Sequence, residues 1–243
     1  MKTLIFILLF PLFLTAQNRL VSGGNYLTDG SNILTTPSYQ NLQYISFGGT
    51  NEYLNYASVL SDLGTTHSIT FWAKCNKSIS NNILGTATAT VNFLIHHTDN
   101  KFYYGDNNEY KSVILATRDN TWQFYCFTRK ETSLKFYMNE VQIGVTQTLA
   151  TSGSFSPQFI GSYSTLYSTA SIDELTIYNK VISSGEMTIL YGGGTPQTCG
   201  NPQSIEGLLH YMNFEQTITT ITDIITSEVL TQNNMEAEDI VAY

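Results

Sequence analysis

The segment Asn100–Tyr110, NKFYYGDNNEY, concentrates side chains suited to holding a sugar. Tyr103, Tyr104 and Tyr110 offer flat apolar faces with polar tips. Asp106, Asn107, Asn108 and Glu109 offer hydrogen-bond acceptors and donors. A pyranose ring stacks on such an aromatic face while carboxylates and amides hold its hydroxyls. Read as a loop at the rim of its fold, the segment gives five candidate ligand-binding residues: Tyr103, Tyr104, Asp106, Asn107 and Tyr110. The competing reading is a tyrosine-rich hairpin used for packing, because the chain holds 16 Tyr in all. Tyr163 and Tyr167, in GSYSTLYSTAS, form a second, weaker group.

Catalytic groupings are harder to find. Glycoside cleavage needs two carboxylates facing one cleft. The one adjacent pair on a strand-like segment is Asp173-Glu174, in SIDELTIY. Strand alternation places Asp173 with Ser171 and Leu175, and Glu174 on the other face. One carboxylate per face makes no acid–nucleophile pair, so the expectation is a chain without catalysis. His96 and His97 are adjacent on a strand-like run and point to opposite faces, which prevents joint chelation. His67 and His210 stand alone. No G-x-S-x-G, H-E-x-x-H or phosphate-cradling glycine loop occurs.

The elements that would position these residues are short strands. Val91–Ile95, Ser112–Leu115, Gln123–Thr128 and Leu134–Met138 recur at short intervals with Gly, Asn and Asp between them. That spacing points to an all-β sandwich or barrel. Ser171–Tyr178 reads as another strand. One short helix is expected at Gly185–Leu190, capped by Ser183 or Ser184, with Glu186 in its first turn and Gly192–Gly194 as its stop. Charged residues are only 12% of the chain, yet 42% is hydrophobic, so low charge here does not signal disorder. The length of 243 residues suffices for one sizeable domain.

The N-terminus reads as an export signal. Met1-Lys2 is a short basic start, Leu4–Leu14 is apolar apart from Pro11, and Thr15-Ala16 precedes Gln17. Cleavage after Ala16 leaves no segment long enough to span a membrane. The Ala-Gln junction resembles those of exported proteins of the Bacteroidetes, which places the chain at or outside a cell surface, or on a phage particle infecting such a host. A net charge of −8 with only 11 basic residues argues against nucleic acid as a partner. Three cysteines, Cys75, Cys126 and Cys199, allow one disulfide with a thiol left over, or none.

Four segments in order resemble one family. These are YISFGGTNEYLNY (Tyr44–Tyr56), SITFWAK (Ser68–Lys74), NTWQFYCFTRKETSLKFYMNEVQIGV (Asn120–Val145) and SIDELTIYNKVISSGEMTILYGGG (Ser171–Gly194). Together they are similar to the laminin-G-like domains of the concanavalin-A-like lectin/glucanase superfamily, over roughly Tyr44–Gly194. The resemblance implies a two-sheet antiparallel jelly-roll sandwich used for binding. It also implies a structural calcium ion near the I-D-E strand, with Asp173 as a ligand and Asp223 as a second. The glucanase pattern Glu-x-Asp-x-(x)-Glu is not present. One departure is Glu140, where the family places Gly in a hairpin turn.

After Gly194, Thr195–Ser204 is a Pro/Gly/Asn-rich linker, and IEGLLHYMNF (Ile205–Phe214) resembles the opening strand of another such unit. Residues 205–243 are too few for a second domain. They either complete this sandwich in permuted order, the favoured reading, or form the stub of a repeat pairing with another chain. The functional expectation is a recognition module for a glycan or a surface protein. The alternative is a structural or adhesion component of a homo-oligomeric assembly, such as a virion spike or surface fibre.

Overall fold

The computed structural model describes residues 27–28, 33–34, 41–60, 63–76, 78–87, 92–106, 109–115, 120–150, 153 and 155–243. The expected signal segment 1–16 and Asn107 lie outside these residues. Met1–Ser38 forms one unit, in which β1 (Leu27–Thr28) and β2 (Ile33–Leu34) pair as an antiparallel hairpin. Tyr39–Tyr243 forms the other.

In the second unit the strands follow in chain order. First come β3 (Gln43–Ser46), β4 (Tyr53–Asn55), β5 (Thr66–Lys74), β6 (Asn81–Gly85), β7 (Asn92–His97), β8 (Lys101–Asp106) and β9 (Tyr110–Ile114). Then come β10 (Trp122–Lys130), β11 (Ser133–Met138), β12 (Val141–Thr148), β13 (Phe159–Ile160), β14 (Ser162–Tyr163), β15 (Leu166–Tyr167) and β16 (Ser171–Tyr178). Helix α1 (Ser184–Tyr191), β17 (Leu208–Met212), β18 (Thr231–Asn233) and β19 (Ile240–Ala242) close the unit.

Two antiparallel sheets face each other. The first runs β12-β11-β10-β5-β16-β3-β19, with β17 pairing the second half of β16. The second runs β18-β4-β13-β6-β7-β8-β9. Between them lies a core that includes Ile45, Leu54, Phe71, Leu94, Phe102, Phe127, Ile160, Ile172, Ile177 and Met212. Burying these apolar faces is the main driving force for stacking the sheets. This is the all-β sandwich that the strand spacing predicts.

Helix α1 lies on the outer face of the first sheet, packing Met187 and Leu190 onto Trp72, Phe124, Cys126 and Tyr178. Ser183 is its N-cap, in a capping box with Glu186, and Gly192 ends it at φ 61°. A Cβ at Gly192 would sit 2.0 Å from the Thr198 carbonyl oxygen, so the stop requires glycine. The stretch 195–204 is two short 3-10 turns with Pro196, Cys199 and Pro202 buried. Residues 205–243 contribute to both sheets: β17 pairs β16, β19 pairs β3, and β18 pairs β4. None of the three cysteines forms a disulfide, and all are buried. Among the described residues no helix is long and apolar enough to cross a membrane.

Candidate functional site

The segment expected as a rim loop is a strand and its hairpin. β8 pairs with both β7 and β9, so its side chains alternate between the sheet's two faces. Phe102, Tyr104 and Asp106 point inward and are fully buried. Tyr103 points outward, and Tyr110 on β9 is 58% exposed. Of the five candidate ligand residues, Tyr104 and Asp106 are therefore corrected to structural positions. The inward set reads F-x-Y-x-D in the sequence, a period-2 signal that a loop reading overlooks.

The inward residues form a buried polar network. Arg129 on β10, wholly buried, places Nη1 2.9 Å from the Asp106 carboxylate and 3.2 Å from the Tyr104 hydroxyl. The same hydroxyl lies 3.0 Å from His67 Nε2. Burial, with the nearby Arg129 charge, lowers the His67 pKa from 6.5 to about 4, so the imidazole is neutral. Burial also pushes Tyr104 and Asp106 up. Each group serves as another's partner, which is how a sandwich interior tolerates an ion pair.

The outward residues line a cavity of about 320 Å³ formed by Phe93, Ile95, His97, Tyr103, Tyr110, Tyr163 and Leu166. Cross-strand pairing sets its floor. Gly105 pairs with Phe93 on one side and Tyr110 on the other, and these two ring centroids lie 6.3 Å apart. The wall comes from the β14–β15 hairpin, where Tyr163 meets Phe93 edge-on at 5.0 Å. Tyr103 and Tyr110 lie 5.6 Å apart between ring centroids. One edge is polar. Tyr103 donates its hydroxyl to Asp99 at 2.6 Å, and His97 and Lys101 lie 3.0 and 3.5 Å from the same carboxylate. That bond, with a smaller contribution from burial, raises the Tyr103 phenol to about 12. An aromatic floor with charged and hydroxyl groups at one rim can stack a ring and hold its hydroxyls.

The structure thus joins the two tyrosine groups of the sequence, because Tyr163 completes the cavity begun by Tyr103 and Tyr110. Tyr167 lies beside Tyr53 instead, at 6.1 Å. Phe93, Ile95, Asp99, Lys101 and Leu166 were not singled out from sequence, and His97 was weighed there only as a metal ligand. The alternation N-F-L-I-H-H of β7, placing Phe93, Ile95 and His97 on one face, was the available signal. His96, on the other face, is buried against Phe102 and Tyr125.

The acidic pair also departs from simple alternation. Glu174 has φ 51°, and the β16–β5 register shifts between Asp173 and Thr176. This bulge turns Ile172 and Leu175 into the core and sends both carboxylates to the helix side. Opposite-face placement is therefore corrected: the two are neighbours. They are also sealed in, with Asp173 at 0% and Glu174 at 4% exposure. Asp173 accepts from Asn41 Nδ2 at 2.6 Å, from the Tyr243 hydroxyl at 2.5 Å and from the Glu174 amide. Glu174 accepts from the Tyr211 hydroxyl at 2.8 Å. Burial, and then the Glu174 charge, raises the Asp173 pKa well above the usual carboxylate range.

Asp223 lies elsewhere. Its carboxylate faces His210 Nδ1 at 2.6 Å and accepts from the amides of Tyr211 and Ile225. His210 opposes Ile177, a core residue, so Asp223 sits on the core side of the sheet and Asp173 on the helix side. Burial pulls the Asp223 pKa up, and these hydrogen bonds outweigh it to hold it low. The two residues expected to share a calcium ion are not brought together. Asp173 is filled by amide and hydroxyl donors, which an ion would have to displace, so this donor set does not fit calcium. Among the described residues no group of three or more His, Cys, Asp or Glu is placed to hold a metal.

A candidate carbohydrate-binding protein from Bacteroides ovatus ATCC 8483 superposes with a TM-score of 0.63 at 15% identity, over 89% of this chain and 64% of that one. The chain therefore spans a little under two thirds of that relative. A heptameric SAP-like pentraxin from Limulus polyphemus superposes with a TM-score of 0.54 at 11% identity, over 83% of this chain and 94% of that one. At these identities the likeness concerns the fold. None of the curated proteins compared with the chain matches it in sequence. A family profile does match, over residues 47–188, which is more than half of the chain. This chain, with its paired sheets, its capped helix and the strand order that the profile spans, belongs to the concanavalin A-like lectin/glucanases superfamily, in the laminin-G group.

Proposed function

We propose that the protein is an exported, non-catalytic module that binds a glycan in the aromatic cavity on the outer face of the second sheet. The observation that carries this reading is the cavity itself: Phe93, Tyr103, Tyr110 and Tyr163 surround about 320 Å³, with the Asp99–His97–Lys101 edge beside it. The rings supply stacking area and the edge supplies hydroxyl partners. The Bacteroides ovatus neighbour, described as a candidate carbohydrate-binding protein, is consistent with this use of the fold.

Absence of catalysis rests on access. Asp173 and Glu174 stand side by side, but both are buried and tied to Asn41, Tyr243 and Tyr211. A glycosidic bond needs an acid and a nucleophile with room for substrate between them. Export rests on the basic and apolar character of residues 1–16.

A glycan array probed with the full chain tests the reading. Saturable binding to at least one glycan, weakened about tenfold in Tyr110→Ala, is expected. A folded sample that binds none, or one in which Tyr110→Ala weakens binding to none of the glycans bound, refutes it.

A further inference from the structure

A second aromatic cluster lies on the outer face of the first sheet, away from the cavity. Trp122 opens β10, Tyr44 lies on β3, and Tyr243 follows β19. The Tyr44 ring centroid is 5.0 Å from that of Trp122 and 5.0 Å from that of Tyr243, and Trp122 and Tyr243 are 5.8 Å apart. Lys74, the last residue of β5, holds Nζ 5.5 Å from the Tyr44 centroid and 5.6 Å from that of Trp122.

Register explains the grouping. Lys74 is flanked across the sheet by Trp122 on one side and Ser171 on the other, and Ser171 opposes Ser46. The Ser46 and Ser171 hydroxyls are 3.2 Å apart. One row deeper, Phe124 and Trp72 are covered by α1. The outer row is not: Tyr44, Trp122 and Lys74 are half-buried and Tyr243 is 39% exposed. The Tyr243 hydroxyl, donated to Asp173, fixes that ring in place.

Charge gives the cluster a direction. The ion pairs of the described residues engage Lys101, Lys111, Arg129 and Lys180 among the strong bases, and Lys74 is in none of them. Its ammonium rests on two rings, an interaction worth only about 0.5–1 kcal/mol at an exposed site. The result is a cation outside those ion pairs, set among three rings and the half-buried Ser46.

We infer that Tyr44, Trp122, Tyr243 and Lys74 form a second saccharide site that prefers sugars bearing a carboxylate. The rings stack the apolar face of the pyranose, Lys74 pairs with its carboxylate, and the half-buried Ser46 offers a partner for its hydroxyls. Because the two sites lie on opposite outer faces of the sandwich, one chain can engage two glycan strands, and linked strands gain from the second contact.

The chain carries its own reporter. It has two tryptophans, of which Trp72 is 1% exposed under α1, and the cavity on the other sheet contains neither. Titration of the full chain with α-1,4-linked galacturonic acid oligomers, followed by tryptophan emission, therefore reads this site alone. A saturable change is expected, weakened by raised salt. The methyl-esterified oligomer, whose carboxyl groups are neutral esters on the same backbone, is expected to bind about tenfold more weakly. Lys74→Gln is expected to bind the acid about tenfold more weakly, and Tyr110→Ala to bind it unchanged. A folded chain that shows no saturable change overturns the inference. So does equal binding of acid and ester, undiminished binding by Lys74→Gln, or loss of the signal in Tyr110→Ala. The ester comparison uses the unaltered chain and stands even if a variant misfolds.

Discussion

Tyr104 and Tyr110 stand six positions apart in one tyrosine-rich hairpin, and the structure gives them opposite fates. Tyr110→Ala removes a ring that is 58% exposed. Of the roughly 200 Å² on an aromatic side chain, about 100 Å² then faces solvent, and a stacked pyranose covers about half of that. At about 25 cal/mol per Å², the lost stacking is about 1.3 kcal/mol, or about a tenfold rise in Kd. Folding stability should fall by about 0.5 kcal/mol or less, as for most exposed substitutions. Tyr104→Ala empties a fully buried site and strips a partner from His67 and Arg129. Its cost should be about 3–5 kcal/mol, lowering Tm by about 10 °C in a unit of this size. Tyr104→Phe keeps the ring and deletes the hydroxyl, so about 1–3 kcal/mol is expected. Isothermal titration with the best glycan from the array, and thermal melts followed by circular dichroism, measure the two effects separately. A Tyr104→Ala protein that melts like the unaltered chain but fails to bind, beside a Tyr110→Ala protein that binds normally, would refute the register of β8 and the site built on it.

Other consequences follow from single contacts. His67 is neutral in the fold with a pKa near 4 against 6.5 when unfolded, so the unfolded chain takes up its proton first as pH falls. Stability is fully present above pH 6.5 and declines toward pH 4 by about 3 kcal/mol, at about 1.36 kcal/mol per pH unit. Urea melts across that range should show the decline, and His67→Phe should reduce it. Arg129→Met leaves the Asp106 carboxylate buried without its cation and should cost about 3–5 kcal/mol by urea melts, most of it recovered in Arg129→Met/Asp106→Leu. Glu140 sits at φ 67° after Asn139 at φ 50°, a hairpin turn that favours glycine at the second position. Glu140→Gly should therefore stabilise by about 0.5–1 kcal/mol even though Thr188 loses its carboxylate partner. A chelator should leave Tm unchanged, because Asp173 is filled by hydrogen-bond donors; a fall of several degrees would show that an ion is bound.

Local sequence carried much of the architecture. SITFWAK, QFYCFT and SIDELTIY specify β5, β10 and β16, because β-branched and aromatic side chains favour the pleated surface. Ser183, Glu186 and Gly192 specify both ends of α1, since capping involves only a few neighbouring residues. The candidate site was half legible. Tyr103, Tyr110 and Tyr163 could be named from their types, but their meeting could not, because β8–β9 and β14–β15 come together only through the pairing of β6, β7 and β13. Tyr104 and Asp106 were misplaced because the same residues read equally as loop or strand until a partner strand fixes their faces. At Glu174 a one-residue bulge reversed the parity that alternation predicts. Residue types and short spacings thus determined which elements form, while the faces those elements show, and so the cavity, were decided by long-range pairing, where a shift of one position moves every side chain to the other side of the sheet.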